Sequence, residues 1–387
     1  MNRLRKFRQL LHGAFLPLWI ALNTLVAGIA VFSGYGGYID QEYMPFAGVV
    51  AMTFPAWYLA CVILLLIDLV ICRAAALAPL AALIAALKPF LVFSPVNFGH
   101  YTPNPADADH TFKILSYNTL SFVDDEKLST PDFNRTMHQV LASGADAVVM
   151  LEFENQGKLT KFVPQAQIDS LHAIYPYFER GGLGTVLFSK RPILHITPPE
   201  HIHSRGSIEA FRTQVAGRPI NIFGVHLESI GLDANDKELY RELTDKNVID
   251  NKNVSYERVR KQLIDKLYGA FSHRAWQAKM LRSYIEQLGG DAIVCGDFND
   301  IPGCRTIHIL EQIGMKDAYS ELATGPTITF NAPHFYFRID HVLWRGNFRA
   351  VDIERGNVAS SDHYPLLTTF VWDADAASSP QQEGTKD

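Results

Sequence analysis

Charged residues are absent from two long stretches near the start of the chain. No Asp, Glu, Lys or Arg occurs in residues 9–39 or 43–67, and each stretch is longer than the ~20 residues that a helix needs to cross a hydrocarbon core. A third apolar stretch, 74–93, contains Pro79, Lys88 and Pro89. The pattern predicts a membrane region, residues 1–94, with transmembrane helices at 10–32, 46–72 and 74–93. For the third stretch, a re-entrant or interfacial segment is the alternative.

The charges that flank these stretches predict an orientation. Residues 3–8 carry four basic side chains, and basic residues favour the cytoplasmic side. A cleavable signal peptide also begins with basic residues, but this stretch is long, has no clear small-x-small cleavage site and is followed by further apolar segments. We therefore predict an integral membrane protein with the acidic loop around Asp40 and Glu42 outside. Three crossings place the remaining chain outside the cytoplasm and two place it inside; we adopt three.

After the membrane region, the pattern changes to short apolar runs between polar turns. Residues 95–111, rich in Pro and Asn, indicate a linker, and residues 373–387 have the composition of a disordered tail. Strand-like runs lie at 113–117, 147–151, 185–189, 220–226, 292–295, 338–343 and 366–372, and helix-like stretches at 132–143, 256–288 and 305–313. This mixture across residues 112–372 predicts a layered α/β or α+β sandwich. The charged stretch 229–271 is either a lid over the site or a solvated helical insertion.

Net charge limits the class of partner. The chain carries −5, and residues 1–94 contain six basic and three acidic residues, which leaves −8 for residues 95–387. This balance disfavours tight, non-specific binding along nucleic acid, although a local basic groove remains compatible with it. The four cysteines have neither metal-site spacing nor the pattern of a disulfide framework, so we take them as small buried hydrophobic residues.

The stretch Gly296-Asp297-Phe298-Asn299 is the most informative motif. It follows the apolar run 292–295, which indicates a buried strand that ends in a carboxylate and a carboxamide. Residues at i and i+2 leave a strand on the same face, so Asp297 and Asn299 are predicted to share one site. A simple turn is the alternative, because turns are also rich in Gly, Asp and Asn.

Further polar clusters stand at the ends of the other predicted strands. They are Asn118, Glu152 with Glu154, His226, Asp340, and Asp362 with His363. Read singly, each has a structural alternative: a turn-forming Asn, solvated charge, a structural His or a loop cap. A buried carboxylate such as Asp340 needs a partner, and it could hold the imidazole of His363 in one tautomer. A hard divalent cation binds one carboxylate of the Glu152 kind and keeps several waters.

Taken together, these side chains are suited to metal-assisted hydrolysis of a phosphate ester. A metal ion polarises a phosphoryl oxygen and stabilises the leaving oxygen. A carboxylate deprotonates the attacking water, and amides and imidazoles stabilise the charge that builds on the phosphoryl group.

This order of residues resembles the endonuclease/exonuclease/phosphatase superfamily, which includes exonuclease III, deoxyribonuclease I, neutral sphingomyelinases and inositol polyphosphate 5-phosphatases. Its most specific pieces are Gly296-Asp297-Phe298-Asn299 and Ser361-Asp362-His363, supported by Ser116-Tyr117-Asn118 and Arg338-Ile339-Asp340. The resemblance covers residues 112–372. It implies a four-layered α/β sandwich of two packed mixed β-sheets flanked by helices, and a phosphohydrolase that depends on Mg²⁺ or Mn²⁺.

The resemblance also implies roles for individual residues. The metal set is Glu152, the principal ligand, with Asn118 and Asp362; Leu151 stands where the family usually has Gln, and Glu154 is a rival ligand. The catalytic set is Asp297 as the base that activates water, Asn299 as a phosphate ligand, His226 as a general acid or phosphate ligand, and Asp340 as the residue that orients His363. Arg274 and Gln277 resemble a common Arg/Gln positioning pattern whose role stays open.

We therefore expect a membrane-anchored, metal-dependent phosphoesterase that hydrolyses phosphodiester or phosphomonoester bonds. Its phosphoester substrate is a nucleic acid, a phospholipid or a small phosphodiester, and its N-terminal helices lie in the lipid bilayer. The acidic domain and the anchor favour small or lipid-linked substrates, whereas an extracytoplasmic nuclease is the alternative. A non-catalytic membrane scaffold belongs to a different class and would be indicated by loss of a Glu, Asp or His from the set; none is missing.

Overall fold

The computed structural model describes residues 2–99, 101–102, 109–123, 133–153, 156–196, 206–215, 217–231, 256–332, 335–357 and 360–373. The chain divides into two compact units. Unit 1 comprises Met1–Ser94, Ile230–Trp276 and Ile301–His308, and unit 2 comprises Pro95–Ser229, Gln277–Asp300 and Ile309–Asp387. Residues 232–255 of the charged stretch 229–271, the rival ligand Glu154 and most of the predicted tail lie outside the described residues.

Unit 1 is helical. Its elements are α1 (Asn2–Gly34), α2 (Phe46–Met52), α3 (Phe54–Ile71), α4 (Leu77–Ala85) and α5 (Leu87–Phe93), together with the first part of a long helix, α9 (Tyr256–Leu288). Among the described residues, two helical stretches are long and apolar enough to cross a membrane, Phe15–Gly34 and Phe54–Ile71. The third predicted span is the pair α4 and α5, which meet at Ala86. Its crossing of the membrane stays a prediction.

Unit 2 contains two six-stranded mixed sheets. The first has the order β13-β14-β1-β2-β4-β3, in which only β1 and β2 are parallel. Its strands are β1 (Thr111–Asn118), β2 (Ala147–Leu151), β3 (Tyr177–Arg180), β4 (Val186–Ser189), β13 (Phe348–Arg355) and β14 (Leu366–Trp372).

The second sheet has the order β5-β6-β7-β8-β12-β9, with a parallel pair β7–β8. Its strands are β5 (Ile193–Ile196), β6 (Ser207–Val215), β7 (Arg218–His226), β8 (Ala292–Asp297), β9 (Lys316–Asp317) and β12 (Asp340–Arg345). A short hairpin, β10 (Phe330–Ala332) and β11 (Phe335–Phe337), precedes β12.

The two sheets face one another across the main hydrophobic core. Val149 and Leu187 of the first sheet are buried in one cluster with Ile222 and Ile293 of the second. Period-2 alternation explains this, because every second side chain of a strand points to the same face. A single Leu→Ala change in such a core costs about 2–5 kcal/mol.

Helices cover the outer faces of both sheets. On the first sheet, α6 (Arg135–Ala142), α7 (Gln156–Phe162) and α8 (Gln165–Ile174) bury Val140, Leu159 and Leu171 against Phe188. On the second, Tyr284 of α9 meets Phe223 edge to face, with ring centroids 5.5 Å apart. Two shorter helices, α10 (Arg305–Glu311) and α11 (Ala318–Leu322), complete the α-helices of the described residues, which also contain two short 3-10 helices, Gly36–Tyr38 and Leu120–Phe122. The predicted sandwich of two mixed sheets flanked by helices is confirmed.

Candidate active site

Three adjacent strands of the second sheet place three predicted site residues side by side. Asp297 ends β8, and its register partners are His226 at the end of parallel β7 and Asp340 at the start of antiparallel β12. Residues that face one another across strands have their Cβ atoms about 5 Å apart. The sheet therefore gathers these three side chains at one edge.

The first sheet adds Asn118 and Glu152. Asn118 ends β1 opposite Leu151, the last residue of β2, and Glu152 follows directly. The Asn118 Nδ2 donates to Glu152 Oε1 at 3.1 Å and to Asp297 Oδ2 at 3.4 Å. Its Oδ1 accepts from the Leu120 N–H at 3.2 Å, so the amide nitrogen faces the two carboxylates. Asn118 thus joins the residues of both sheets in one cluster.

His363 lies between two carboxylates. Its Nδ1 is 2.8 Å from Asp340 Oδ2, and its Nε2 is 3.6 Å from Asp297 Oδ2. Burial alone would lower the pKa of His363, but the carboxylates of Asp340, Asp297 and Asp362 outweigh it and raise the pKa to about 10. A protonated His363 therefore keeps a donor directed at Asp297 and at any phosphate bound beside it.

Asp297 is the most buried carboxylate of the cluster, with 2% of its side chain exposed. Burial raises its pKa, an effect that His363 opposes and Asp340 reinforces. Its Oδ1 accepts from the Asn299 N–H at 2.8 Å, which leaves Oδ2 directed at His363, His226 and Asn118. A raised pKa makes the carboxylate a stronger base once it is ionised.

Asn299 reaches the site by a different route from the one predicted. Strand β8 ends at Asp297, and Asn299 lies beyond it with φ = 50°, so the strand pleat does not align the two side chains. Instead, a turn brings the Asn299 N–H to Asp297, and the Asn299 Nδ2 donates to the Leu227 carbonyl at 3.0 Å. Just before the turn, Gly296 lets β8 lie close to β7, because its φ is 142° and an added Cβ would collide with the Val225 carbonyl oxygen.

Asp362 and Glu152 present carboxylate oxygens that lack a full set of partners. Asp362 Oδ1 is buried and has no hydrogen-bond partner among the described residues. Burial raises the pKa of Asp362, His363 opposes the rise and Glu152 adds to it, which indicates that the two carboxylates act on each other. Glu152 keeps a third of its side chain exposed and has φ = 55°. A buried, unpaired oxygen beside a second carboxylate fits a hard divalent cation.

A second group could also hold a cation. Asp297, Asp340 and His363 each place one ligand atom within 4.8 Å of the others. Two of these residues already form a hydrogen-bonded pair, however, and a hard cation such as Mg²⁺ prefers oxygen ligands and retained waters. The Glu152–Asp362 side therefore suits a cation better, and the Asp297–His363–Asp340 group suits proton and charge handling.

His226 stands between the two groups. Its Nε2 is 3.7 Å from Asp297 Oδ2 and 3.9 Å from Glu152 Oε1. Gln277, whose positioning role was open, accepts from the Glu228 N–H at 2.9 Å and so fixes the chain just after His226. Arg274 is buried. Every member of the predicted metal and catalytic sets therefore lies in this cluster or beside it.

Two supporting residues were missed from the sequence. The Thr329 Oγ1 accepts from the N–H groups of Ile339 and Asp340 at 3.0 and 2.9 Å, which fixes the start of β12. The Ser361 Oγ donates to the Asn118 carbonyl at 3.0 Å and accepts from the His363 N–H. Ser361 stands in the Ser-Asp-His motif and could have been found there, whereas no local pattern marks Thr329.

Comparison with known proteins places this geometry in a family. A model of the endonuclease/exonuclease/phosphatase family matches residues 115–363, and a search of curated proteins found no significant match in sequence. Similar solved structures include truncated TDP2 from Caenorhabditis elegans (16% identity, TM-score 0.43, 67% of this chain and 98% of that one). A second is an endonuclease/exonuclease/phosphatase from Beutenbergia cavernae (14% identity, TM-score 0.44, 68% of this chain and 72% of that one). A third is D. rerio TDP2 complexed with a single-strand DNA product (14% identity, TM-score 0.43, 67% of this chain and 98% of that one). Because the family model covers more than half of the residues, this chain belongs to the endonuclease/exonuclease/phosphatase family and is a hydrolase that acts on phosphoester bonds.

Proposed function

We propose that this protein is a membrane-anchored phosphoesterase that hydrolyses phosphodiester or phosphomonoester bonds with the help of Mg²⁺ or Mn²⁺. The observation that carries the proposal is the convergence, from the strand ends of both sheets, of Glu152, Asp297 and His363. Asn118 bonds Glu152 and Asp297, His363 faces Asp297, and the unpaired Asp362 oxygen lies beside them.

Glu152 and Asp362 would hold the cation, and Asn118 lies beside them. The Asn118 Nδ2 points towards the carboxylates, which suits a donor to a phosphoryl oxygen. Contact with the cation would need its Oδ1, which accepts from the Leu120 N–H, so the place of Asn118 in the metal set stays a prediction. When bound, such a cation polarises a phosphoryl oxygen and stabilises the charge on the leaving oxygen.

The remaining residues handle protons and charge. Asp297 Oδ2 accepts a proton from water, the water oxygen bonds to phosphorus, and the bond from phosphorus to the leaving oxygen breaks. His363 Nε2 and Asn299 donate to the phosphoryl oxygens, and Asp340 holds the ring of His363. His226 supplies a further phosphate contact or the proton that the leaving oxygen takes up. A positioned acid or base contributes about 10²- to 10⁴-fold in rate.

The test is turnover of bis-p-nitrophenyl phosphate and p-nitrophenyl phosphate by the full chain in detergent, with Mg²⁺, with Mn²⁺ or with chelator. We expect metal-dependent turnover that is lost in Asp297→Ala and kept in Asp169→Ala, an exposed aspartate on α8. A folded wild-type chain without turnover of either ester, or of DNA, RNA and phospholipid vesicles, would favour the scaffold alternative.

The nature of the substrate follows from charge and anchoring. The −8 charge of residues 95–387 opposes extended contact with nucleic acid, and an anchor brings the enzyme to phosphoesters at a bilayer. We therefore place small or lipid-linked phosphoesters first and an extracytoplasmic nuclease second. The relative kcat/KM for vesicle-borne and oligonucleotide substrates distinguishes the two.

Burial in unit 1 supports the membrane anchor. Leu25, Val70 and Ile71 expose 61%, 87% and 65% of their surfaces, whereas Asn23 and Asp68 are fully buried. The Trp19 indole donates to the Asp68 carboxylate at 2.6 Å. In soluble proteins, apolar side chains such as Leu and Val are mostly buried and Asn and Asp are mostly exposed. Within membrane helices, polar groups face the bundle interior. The helices thus expose apolar side chains and bury polar ones, as helices in a lipid bilayer do.

Contacts among the helices of unit 1 support three crossings. Asp68, near the end of α3, bonds Trp19, near the start of the apolar stretch Phe15–Gly34 of α1. Phe54, at the start of α3, lies beside Gly34 at the end of α1, so α1 and α3 run in opposite directions. At the other end of α1, a Cβ on Gly34 would lie 3.2 Å from Pro89 of α5, and the Tyr35 hydroxyl donates to the Ala85 carbonyl at 2.8 Å. The segment α4–α5 therefore returns the chain to the end of α1 where Gly34 lies. With a cytoplasmic N-terminus, residues after Ser94 begin outside.

Reporter fusions test this topology. Alkaline phosphatase, active outside the cytoplasm, and a fluorescent protein, active inside, are fused after Arg73 and, separately, after Ser94. Three crossings predict a cytoplasmic signal after Arg73 and an extracytoplasmic signal after Ser94. A cytoplasmic signal at both positions would instead make α4–α5 the re-entrant or interfacial segment.

A further inference from the structure

A second Asp–His pair lies under the active site and contacts the turn that carries its central motif. The His341 Nδ1 is 2.9 Å from Asp317 Oδ2, and its Nε2 is 3.0 Å from the Asp300 carbonyl oxygen. His341 is fully buried and faces Gly296 across β12 and β8. Its ring meets Phe298 edge on, with centroids 5.3 Å apart. Three of the residues around His341 thus belong to the stretch 296–300.

This turn needs external support. Asn299 is held at positive φ, a conformation that is uncommon for a residue with a side chain. The Phe298 N–H donates to the Ile339 carbonyl at 2.9 Å, and Asn299 is held by Asp297 and Leu227. The Asp300 carbonyl is held by His341. Since a carbonyl oxygen only accepts hydrogen bonds, Nε2 of His341 is the donor.

Asp317 fixes the imidazole from behind. Both of its oxygens accept from Arg338 Nη1, at 3.2 and 2.9 Å, and Oδ1 also accepts from the N–H groups of Tyr319 and Ser320 at the start of α11. Burial alone would raise the pKa of Asp317, but Arg338 and His341 hold it well below its usual range. The carboxylate is therefore an immobile, charged anchor for His341.

We propose that His341, held by Asp317, is a positioning residue that fixes the Asp297–Asn299 turn through the Asp300 carbonyl. The proposal rests on the proposed phosphoesterase function. His341 acts through the turn and touches no reacting atom, so its loss lowers kcat and leaves KM nearly unchanged, because misplacement of the base is felt in the transition state.

Two substitutions at one position separate this role from packing. His341→Gln keeps a donor at the distance of Nε2, and His341→Asn keeps one only at the distance of Nδ1. In the full chain with bis-p-nitrophenyl phosphate and Mg²⁺, we expect His341→Asn to lower kcat on the order of 100-fold, with KM within about threefold. His341→Gln should stay within about fivefold of wild type. The control is His195→Asn. The His195 imidazole pairs with Glu209 at a distance of 2.7 Å and is not part of the His341 cluster, so the kcat of this variant should equal that of wild type.

Hydrogen exchange gives a readout that needs no turnover. Amides of residues 298–300 should exchange faster in His341→Asn and at the wild-type rate in His341→Gln. Equal kcat losses or equal exchange in the two variants would overturn the proposal, and so would unchanged values in His341→Asn. A wild-type chain without turnover would count against the proposed function. The hydrogen exchange of residues 298–300 would then be the measurement that tests whether His341 fixes the turn.

If His341→Asn does not fold, Asp317→Asn takes its place. We expect about a tenfold loss of kcat in the wild-type background and little further loss on top of His341→Gln, because that variant has already lost the contact with Asp317. Equal losses in both backgrounds would show that Asp317 does not act through His341.

Discussion

Two buried Asp–His pairs meet on β12, and only one of them faces the candidate active site. Asp340 Oδ2 lies 2.8 Å from His363 Nδ1, and Asp317 Oδ2 lies 2.9 Å from His341 Nδ1. Asp340 and His341 are consecutive residues of one strand, so their side chains leave opposite faces of the sheet. Each pair joins a His Nδ1 to an Asp Oδ2, but the groups that surround the two pairs differ.

The second ring nitrogen shows what each pair can do. His363 Nε2 faces the Asp297 carboxylate at 3.6 Å, whereas His341 Nε2 meets the Asp300 carbonyl at 3.0 Å. A nitrogen that faces an ionisable group beside an open site can bind phosphate or pass a proton. A nitrogen held by a main-chain carbonyl can only donate to it. The role of such a pair is therefore set by the group beyond the imidazole.

The largest difference between the pairs is expected from one substitution made in both. His363→Asn keeps an amide near Asp340 and removes the nitrogen that faces Asp297. We expect kcat to fall on the order of 1,000-fold, about ten times more than for His341→Asn. Steady-state kinetics with bis-p-nitrophenyl phosphate measure both. A His363→Asn variant that kept a tenth of the wild-type kcat would remove His363 from the chemistry.

Glu152→Gln tests whether the metal lies apart from the His363 group. We expect a loss on the order of 100-fold at low Mg²⁺, from the several kcal/mol that a catalytic cation supplies, with partial recovery as Mg²⁺ is raised. His363→Asn should not recover. Titration of activity against Mg²⁺ in both variants is the measurement. Recovery of His363→Asn and not of Glu152→Gln would move the cation to the Asp297, Asp340 and His363 group.

Asp340→Asn tests the charge within the catalytic pair. We expect kcat to fall between about 10- and 100-fold. Because nearby carboxylates, Asp340 foremost, outweigh burial and raise the pKa of His363 to about 10, His363 is protonated below that pH and activity should decline above it. Loss of the Asp340 charge lowers the pKa, so this alkaline limb of the pH–rate profile should move to lower pH. Asp317→Asn, in the other pair, should leave the limb in place.

The strand ends that form the site could be predicted from apolar runs that stop at a polar residue. Asn118, His226 and Asp297 end β1, β7 and β8, and the predicted strand at 147–151 is observed as β2. The approach failed where polar residues are buried within a strand. In β6, Glu209 is 1% exposed because it bonds His195 and the Gly182 N–H. Its charge interrupts the apolar pattern, so the strand was missed.

Two other features depend on contacts that are remote in the sequence. Asp317 and His341 are 24 residues apart, and His341 stands inside an apolar run where nothing marks it as half of a pair. Asn299 was expected on the strand face, yet its place comes from a left-handed turn. By contrast, the helix predicted at 256–288 is observed as α9, and it continues through Gly269 although glycine disfavours a helix interior. An added Cβ at Gly269 would meet nothing within 4 Å, so packing does not require a glycine at this position.

The smallest effect at working pH is expected in the supporting pair and concerns stability. Burial would raise the pKa of Asp317, but Arg338 and His341 lower it below the 3.8 of an unperturbed Asp. The unfolded chain therefore takes up this proton first as the pH falls. The stability that Asp317 contributes is complete above about pH 4 and is lost below it, by about 1.4 kcal/mol for each unit between the folded and unfolded pKa values. Thermal unfolding of the full chain in detergent, from pH 6 to pH 3, should show the advantage of wild type over Asp317→Asn shrinking as the pH falls. A difference in unfolding temperature between wild type and Asp317→Asn that stayed constant across this range would mean that the charge of Asp317 does not stabilise the folded state. The pair at His341 would then be held by packing alone.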